Sequence, residues 1–151
     1  SPTERRPGQP LPRGRVTGGS SAVNTCIFLR GVPEDYDDWS DRGNPEWRWD
    51  NVLRTFCRLE RDLDFGDEDH HGDAGPITVR RYPHEELTEL HQAFLATADE
   101  LGFPECPDQN HPSALGSGPQ PMNKLGQLRV STASAYLAPA RLRPNLEIRG
   151  G

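Results

Sequence analysis

The chain has 151 residues, enough for one domain with a buried core, and carries a formal net charge of −6. That acidity argues against a nucleic-acid-binding surface, because phosphate contacts need concentrated lysine and arginine. No stretch approaches the ~18 apolar residues of a membrane span, and the sequence shows no hydrophobic region of a signal peptide. The three cysteines are odd in number and lack metal-type spacing, so we expect unpaired thiols in a reducing compartment and a cytoplasmic location.

The first half of the chain contains two predicted helices after an irregular, proline- and arginine-rich lead-in at residues 1–13. Pro33 opens the first helix and Gly43 ends it, because proline suits the first helical position and glycine the position after the last turn. Asp50 is a suitable N-cap for the second helix, whose apolar stripe runs to Leu59.

An acidic stretch at residues 60–73 follows and contains His70 and His71. Carboxylates and imidazoles packed this closely bind divalent ions loosely when they are flexible, but a specific site needs ligands that converge from fixed elements. We therefore predict a solvated acidic loop and no metal site. The pair Arg80-Arg81 is likewise predicted to lie on a solvated strand face.

The second half of the chain is predicted to begin with a strand at 77–82 and a long helix at 83–102. A long loop at 102–126, a short helix at 130–137 and a strand at 145–149 are predicted to follow. The long helix has the clearest pattern, since apolar residues recur at steps of three and four positions. His91 lies on its charged flank and is expected to be exposed.

A glycine- and serine-rich run carries the main chemical signal. Gly18 and Gly19 permit positive φ and close approach of the backbone to a ligand, and successive N–H groups can form an anion-binding nest. Ser20 and Ser21 add hydroxyl donors, and Asn24 can both donate and accept. No lysine follows the glycines and the pattern is not G-x-G-x-x-G. On this local chemistry alone, an ordinary Gly/Ser turn is the favoured interpretation.

The wider pattern changes that interpretation. Gly14-Arg15, Gly18-Gly19-Ser20-Ser21 and Val23-Asn24 resemble the first signature of the glucose–methanol–choline (GMC) oxidoreductases, in their choline-dehydrogenase-like branch. Thr17 stands where that family usually has an aliphatic residue. The similarity continues in order to about Ile148 through further motifs: Arg30 to Asp37, Gly43 to Trp47, His71-Gly72, Arg129 to Ala133 and Arg143 to Leu146.

The resemblance implies an FAD-dependent enzyme that oxidises the CH–OH group of a small alcohol by hydride transfer to the flavin. It also implies that the FAD site is lined by Val16, Gly18, Gly19, Ser20, Ser21, Asn24, Thr25, Cys26 and Ile27. Some relatives carry a flavin-linked histidine at the position of Val23, and valine cannot form that bond. We therefore expect FAD to be held non-covalently, and Cys26 to be a small buried thiol.

The implied fold is α/β (α+β in this fragment), with part of a Rossmann-like FAD-binding domain and the start of an antiparallel-sheet substrate domain. Residues 1–75 and 126–151 would belong to the FAD domain, and 76–125 to the substrate domain. The family's G-x-G-x-x-G turn and its C-terminal catalytic histidine have no counterpart in the sequence. We therefore expect an internal fragment that needs N- and C-terminal segments of the same enzyme, and we assign no catalytic residue. The alternative is a non-catalytic remnant or interaction module whose acidic loop binds a metal or a basic partner.

Overall fold

The computed structural model describes residues 11–149, so most of the predicted lead-in and the final two glycines lie outside the described residues. Within that range the helices are α1 Pro33–Asp41, α2 Trp49–Leu59, α3 Glu89–Glu100 and α4 Ala138–Ala140. The strands are β1 Glu60–Asp62, β2 Ile77–Val79, β3 Lys124–Leu125 and β4 Leu128–Arg129. Single helical turns occur at Gly19–Ala22, Pro45–Trp47 and His84–Glu86, and a π-helical turn at Ala133–Leu137. The mixture of helices and small sheets confirms the predicted α/β class.

The strands form two small sheets that are joined by backbone bridges. β1 pairs in parallel with the buried strand β2, and β3 pairs antiparallel with β4. Met122 bridges Arg80 on one side and Ile27 on the other, and the N–H of Phe28 donates to the carbonyl of Pro121 at 2.9 Å. Pro121 and Met122 belong to the predicted long loop. This loop therefore lies between the end of β2 and the segment that follows the glycine-rich run.

The two N-terminal helices pack through aromatic side chains. Tyr36 of α1 lies 5.6 Å from Trp49 and 5.7 Å from Phe56 between ring centroids. α1 begins at Pro33 as predicted, but α2 begins at Trp49 and Asp50 is not its N-cap. The cap comes from the neighbouring helix instead, because the carboxylate of Asp37 accepts the Trp49 N–H at 3.0 Å.

The long predicted helix is divided in two. Its first residues form the separate turn His84–Glu86, and α3 starts only after Thr88, whose hydroxyl oxygen accepts the N–H of His91 at 3.4 Å. Gly102 follows the helix with φ +81°, in the left-handed conformation predicted for a C-terminal glycine. The expected exposure of His91 is confirmed.

The C-terminal segment differs from its prediction. The short helix expected at 130–137 is a π-helical turn that runs into α4. Residues 145–149 form no strand with any described segment, so the strand prediction there is wrong. An alternation of two apolar side chains is not sufficient, because a strand also needs a neighbour for its backbone hydrogen bonds. None of the helices within residues 11–149 is long and apolar enough to cross a membrane.

Candidate functional site

The glycine loop, residues 16–27, owes its shape to two glycines with positive φ. Gly18 has φ +95° and Gly19 has φ +58°. The N–H of Gly19 donates to the carbonyl of Val16 at 2.8 Å, which closes the turn. A Cβ at Gly18 would lie 3.0 Å from the Cβ of Ala133, whereas a Cβ at Gly19 would meet nothing within 4 Å. Gly19 therefore faces open space, which leaves its backbone accessible to a ligand.

The two serines of the loop have different roles in the structure. The Ser21 hydroxyl donates to the carbonyl of Gly18 at 2.6 Å and accepts the N–H of Thr132 at 3.0 Å. The Ser20 oxygen accepts the N–H of Gly14 at 3.1 Å, and its side chain is exposed. Ser21 therefore holds the loop in place, while the hydroxyl hydrogen of Ser20 can still be donated to a ligand.

Arg129 on β4 clamps the loop from the other side. Its guanidinium donates to the carbonyls of Ser21 and Asn24 and to the Asn24 side-chain oxygen. The Asn24 oxygen is therefore committed to the protein, which leaves its amide N–H₂ as the group that faces outward. Sequence reasoning gave Arg129 no role, although its motif was part of the family resemblance.

Cys26 lies at a sharp turn of the loop. It has φ +65° and is the only non-glycine residue with positive φ in the described range 11–149. Its N–H donates to the side-chain oxygen of Asn24 at 3.1 Å, and its carbonyl accepts the N–H of Asn123 at 2.9 Å. The residue is 3% exposed, which confirms the predicted buried cysteine. Backbone strain of this kind persists only where surrounding contacts over-determine it.

A groove of about 870 Å³ opens beside the loop. The side chains that line it are mainly apolar, and the larger ones are Ile27, Tyr82, Leu87, Phe94, Leu95 and Met122. The uncharged or titratable polar side chains at the groove are Thr25, Thr88, His91, Gln120 and Gln127. The carboxylate of Glu86 also reaches the groove, but Arg80 pairs with it at 2.8 Å. A mainly apolar concavity with a few polar groups is the usual form of a small-molecule site.

A second feature, which we call the buried charge cluster, consists of Arg30, Glu60, Asp62, His71, Arg81 and Asp108. Their side chains are at most 7% exposed. The imidazole of His71 joins two carboxylates, with Nδ1 2.7 Å from Glu60 Oε1 and Nε2 2.9 Å from Asp108 Oδ2. Arg81 donates to both oxygens of Asp62, at 2.9 and 2.8 Å, and to Asp108, while Arg30 donates to Glu60.

The cluster corrects two predictions from the sequence. The acidic stretch is solvated at Asp67, Glu68 and Asp69, but Glu60, Asp62 and His71 are buried, so the prediction of a solvated loop is wrong for these three residues. Arg81 is 6% exposed and does not lie on a solvated strand face. Both side chains are buried because each pairs with buried carboxylates. The parallel pairing of β1 with β2 brings some of these carboxylates close, and another belongs to the distant Asp108.

The charges of the cluster balance. Burial lowers the pKa of His71, but hydrogen bonds to Asp108 and Glu60, with the charges of both, outweigh it and raise the pKa to about 9. Burial also acts to raise the pKa of Asp108, but the hydrogen bonds from His71 and the Asn110 N–H, with the Arg81 charge, hold it well below its usual range. At neutral pH three cations therefore face three carboxylates.

Comparison with known proteins places these features in a family. The family described as GMC oxidoreductase matches residues 5–151. The chain is 39% identical to a 5-(hydroxymethyl)furfural oxidase of Methylovorus sp. (strain MP688), over 90% of this chain and 26% of the relative. It is 37% identical to an oxygen-dependent choline dehydrogenase of Photobacterium profundum, over 93% of this chain and 24% of the relative.

A solved structure shows the same fold. Pyridoxine 4-oxidase from Mesorbium loti superposes with a TM-score of 0.85 and 34% identity, over 91% of this chain and 27% of that chain. The chain thus spans about a quarter of the length of these relatives. The matched residues include the glycine loop, the groove and the buried charge cluster. The chain therefore belongs to the GMC oxidoreductases, a family of FAD-dependent oxidoreductases that act on alcohols.

Proposed function

We propose that this chain supplies one side of the FAD site in an alcohol oxidoreductase. Bound FAD would supply the chemistry by accepting a hydride from the alcohol carbon. The observation that carries the proposal is the glycine loop, which has an open backbone at Gly19 and lines the groove through Thr25 and Ile27. The loop residues would hold and orient the cofactor, and the groove would admit the alcohol.

The loop has the properties that a flavin requires. A flavin is flat and has an apolar edge and a polar edge. The residues Val16, Val23 and Ile27 are 54%, 60% and 46% exposed, although they lie on a loop held by internal hydrogen bonds and by Arg129. The hydroxyl of Ser20 and the amide of Asn24 offer polar hydrogens on the same loop. The loop is thus an apolar surface with hydrogen-bond donors at its edge, and it fits the cofactor.

We further propose that FAD is bound without a covalent bond. The loop position at which some relatives carry a flavin-linked histidine is Val23, whose side chain has no nucleophilic atom. Acid precipitation of the flavin-loaded protein tests this directly. Yellow colour in the supernatant is the expected result, and yellow colour that stays with the precipitated protein would contradict non-covalent binding.

The groove favours an uncharged aromatic alcohol. Phe94 offers an aromatic face, whereas Arg80 and Lys124 already lie over the ring of Tyr82. The carboxylate of Glu86 is paired with Arg80 and so is not free to attract a cation. A quaternary ammonium substrate such as choline would need an unpaired carboxylate or an aromatic cage. One relative is a 5-(hydroxymethyl)furfural oxidase and one neighbour a pyridoxine 4-oxidase. We therefore propose a ring-bearing primary alcohol as the substrate class.

Two experiments test the proposal. The first is to read the coding sequence on either side of this chain: a G-x-G-x-x-G turn upstream and a histidine motif downstream support the enzyme, and in-frame stop codons on both sides support a non-catalytic remnant. The second is to assay the protein that contains both flanks for dye reduction with furfuryl alcohol and with choline. Faster turnover of furfuryl alcohol is expected. Turnover of choline alone would refute the proposed substrate class, and FAD retention without turnover of any alcohol would refute the activity.

A further inference from the structure

The outer side of the buried charge cluster has the donor set of a metal site. His70, His71 and Asp108 each direct one ligand atom into the same space, and these atoms all lie within 4.8 Å of one another. Asp108 Oδ2 is 2.9 Å from His71 Nε2 and 3.5 Å from His70 Nε2. Ligand atoms around a tetrahedral zinc ion lie about 3.3 Å apart, so small movements would complete the geometry.

The orientation of His71 is fixed by a carboxylate behind it. Its Nδ1 lies 2.7 Å from Glu60, and the Glu60 carboxylate is in turn held by Arg30 and by the Gly72 N–H at 3.2 Å. A carboxylate that accepts the Nδ1 hydrogen of a histidine is the usual support of a metal ligand, because it fixes the ring and increases the basicity of Nε2. Nε2 of His71 is the atom that faces Asp108 and His70.

The available oxygen of Asp108 is also defined. Arg81 and the Asn110 N–H both donate to Oδ1, so Oδ2 is the oxygen left for a ligand. A cavity of about 330 Å³ opens at this point and is lined by His70 and Asp108 together with Glu68 and Glu105. The cavity provides an entry path, room for a water ligand, and two further carboxylates to offset the charge of an ion.

We propose that His70 Nε2, His71 Nε2 and Asp108 Oδ2 bind a divalent transition metal of the zinc class. Two imidazoles and one carboxylate suit zinc, and a water molecule in the cavity would take the fourth position. The site differs from the loose binding considered for the acidic stretch, because Asp108 comes from a distant and buried part of the chain.

Cobalt and zinc binding to the full chain tests the site. The protein is purified without a histidine tag, stripped with EDTA and titrated with CoCl₂, which develops visible absorption in a tetrahedral site, and then with ZnCl₂ in competition. His70→Gln is the test variant because the His70 side chain lies at the edge of the buried network, 15% exposed and 3.5 Å from Asp108. It should weaken zinc binding by more than about tenfold, the least effect expected even for a supporting residue. His91→Gln, an exposed histidine on α3, is the control and should bind like the wild type.

Three outcomes would overturn the proposal. One is the absence of cobalt absorption in the wild type, and another is unchanged zinc affinity in His70→Gln. The third is an equal loss in His91→Gln, which would indicate scattered surface binding. If circular dichroism shows that His70→Gln is unfolded, chemical modification of the wild type decides. Protection of His70, but not of His91, from diethyl pyrocarbonate by ZnCl₂, located by mass spectrometry, supports the site, and equal modification of His70 with and without zinc refutes it.

Discussion

The substitution Arg81→Met removes one cation from the buried charge cluster and keeps much of the apolar stem. The arginine side chain is 5% exposed, makes two hydrogen bonds to Asp62 and one to Asp108, and stacks 4.6 Å above the ring of Phe65. Methionine can keep the contact with the ring but none of the hydrogen bonds. Asp62 and Asp108 would then share His71 as their remaining charged partner.

The expected loss of stability follows from the carboxylate charge that is left without its partner. Removal of one partner from a buried ion pair destabilises a protein by about 3–5 kcal/mol, because the remaining charge stays buried without compensation. A domain of this size is stable by about 5–15 kcal/mol in total. Arg81→Met should therefore cost about a fifth of the stability or more, and the chain should unfold at a markedly lower urea concentration.

Urea unfolding, followed by the fluorescence of the three tryptophans, measures this loss. The neighbouring Arg80→Met is a matched control, since Arg80 pairs with Glu86 at a carboxylate that is 36% exposed. An ion pair that is partly open to water is worth about 1 kcal/mol or less. If Arg81→Met lowers the free energy of unfolding by no more than Arg80→Met does, the cluster does not act as a closed, charge-balanced unit and the prediction is wrong.

Three further predictions concern pH, the loop serines and the thiols. His71 has a pKa raised from 6.5 to about 9 in the folded chain, so its contribution to stability is complete below pH 6.5 and is lost as the pH rises towards 9. Unfolding of the EDTA-treated chain should show this loss, and His71→Gln should abolish that part of the pH dependence; an unchanged profile would contradict the assignment. Ser20→Ala should weaken FAD binding in a flavin titration, with little change in the free energy of unfolding. Ser21→Ala should lower the free energy of unfolding by about 1 kcal/mol in thermal melts. If instead Ser21→Ala weakens FAD binding and Ser20→Ala lowers the stability, the roles assigned to the two serines are wrong. Cys26 should react with a thiol reagent more slowly than the less buried Cys57, measured by mass spectrometry of the native chain, and equal rates would show that the loop opens freely.

The sequence was sufficient for features that depend on neighbouring residues. The start of α1 at Pro33, the apolar stripe of α2 and the left-handed Gly102 all follow from local patterns. The family resemblance also came from motifs in sequence order, and the match to the GMC oxidoreductases confirms it. The assignment of individual loop residues to FAD, and the division at residues 75 and 125, stay predictions.

The remaining features depend on contacts between distant segments. The α2 N-terminus is capped by Asp37, twelve positions before Trp49. The local sequence predicts Asp50 instead, because that residue lies at the start of the helical pattern. The buried charge cluster joins β1, β2 and the segment around Asp108, and no local pattern distinguishes a buried His71 from its exposed acidic neighbours. The strand expected at 145–149 failed for the same reason, because pairing depends on a neighbour.

Met122 shows how the groove can change without disturbing the fold. Its backbone bridges both Ile27 and Arg80, so main-chain hydrogen bonds set the spacing between the glycine loop and β2. The side chains of Ile27 and Met122 project into the groove and contribute nothing to that pairing. Substitutions at these two positions therefore alter the shape of the groove and leave the loop backbone in place. The groove proposed for the alcohol can thus be reshaped by exchange of side chains on an unchanged main-chain frame.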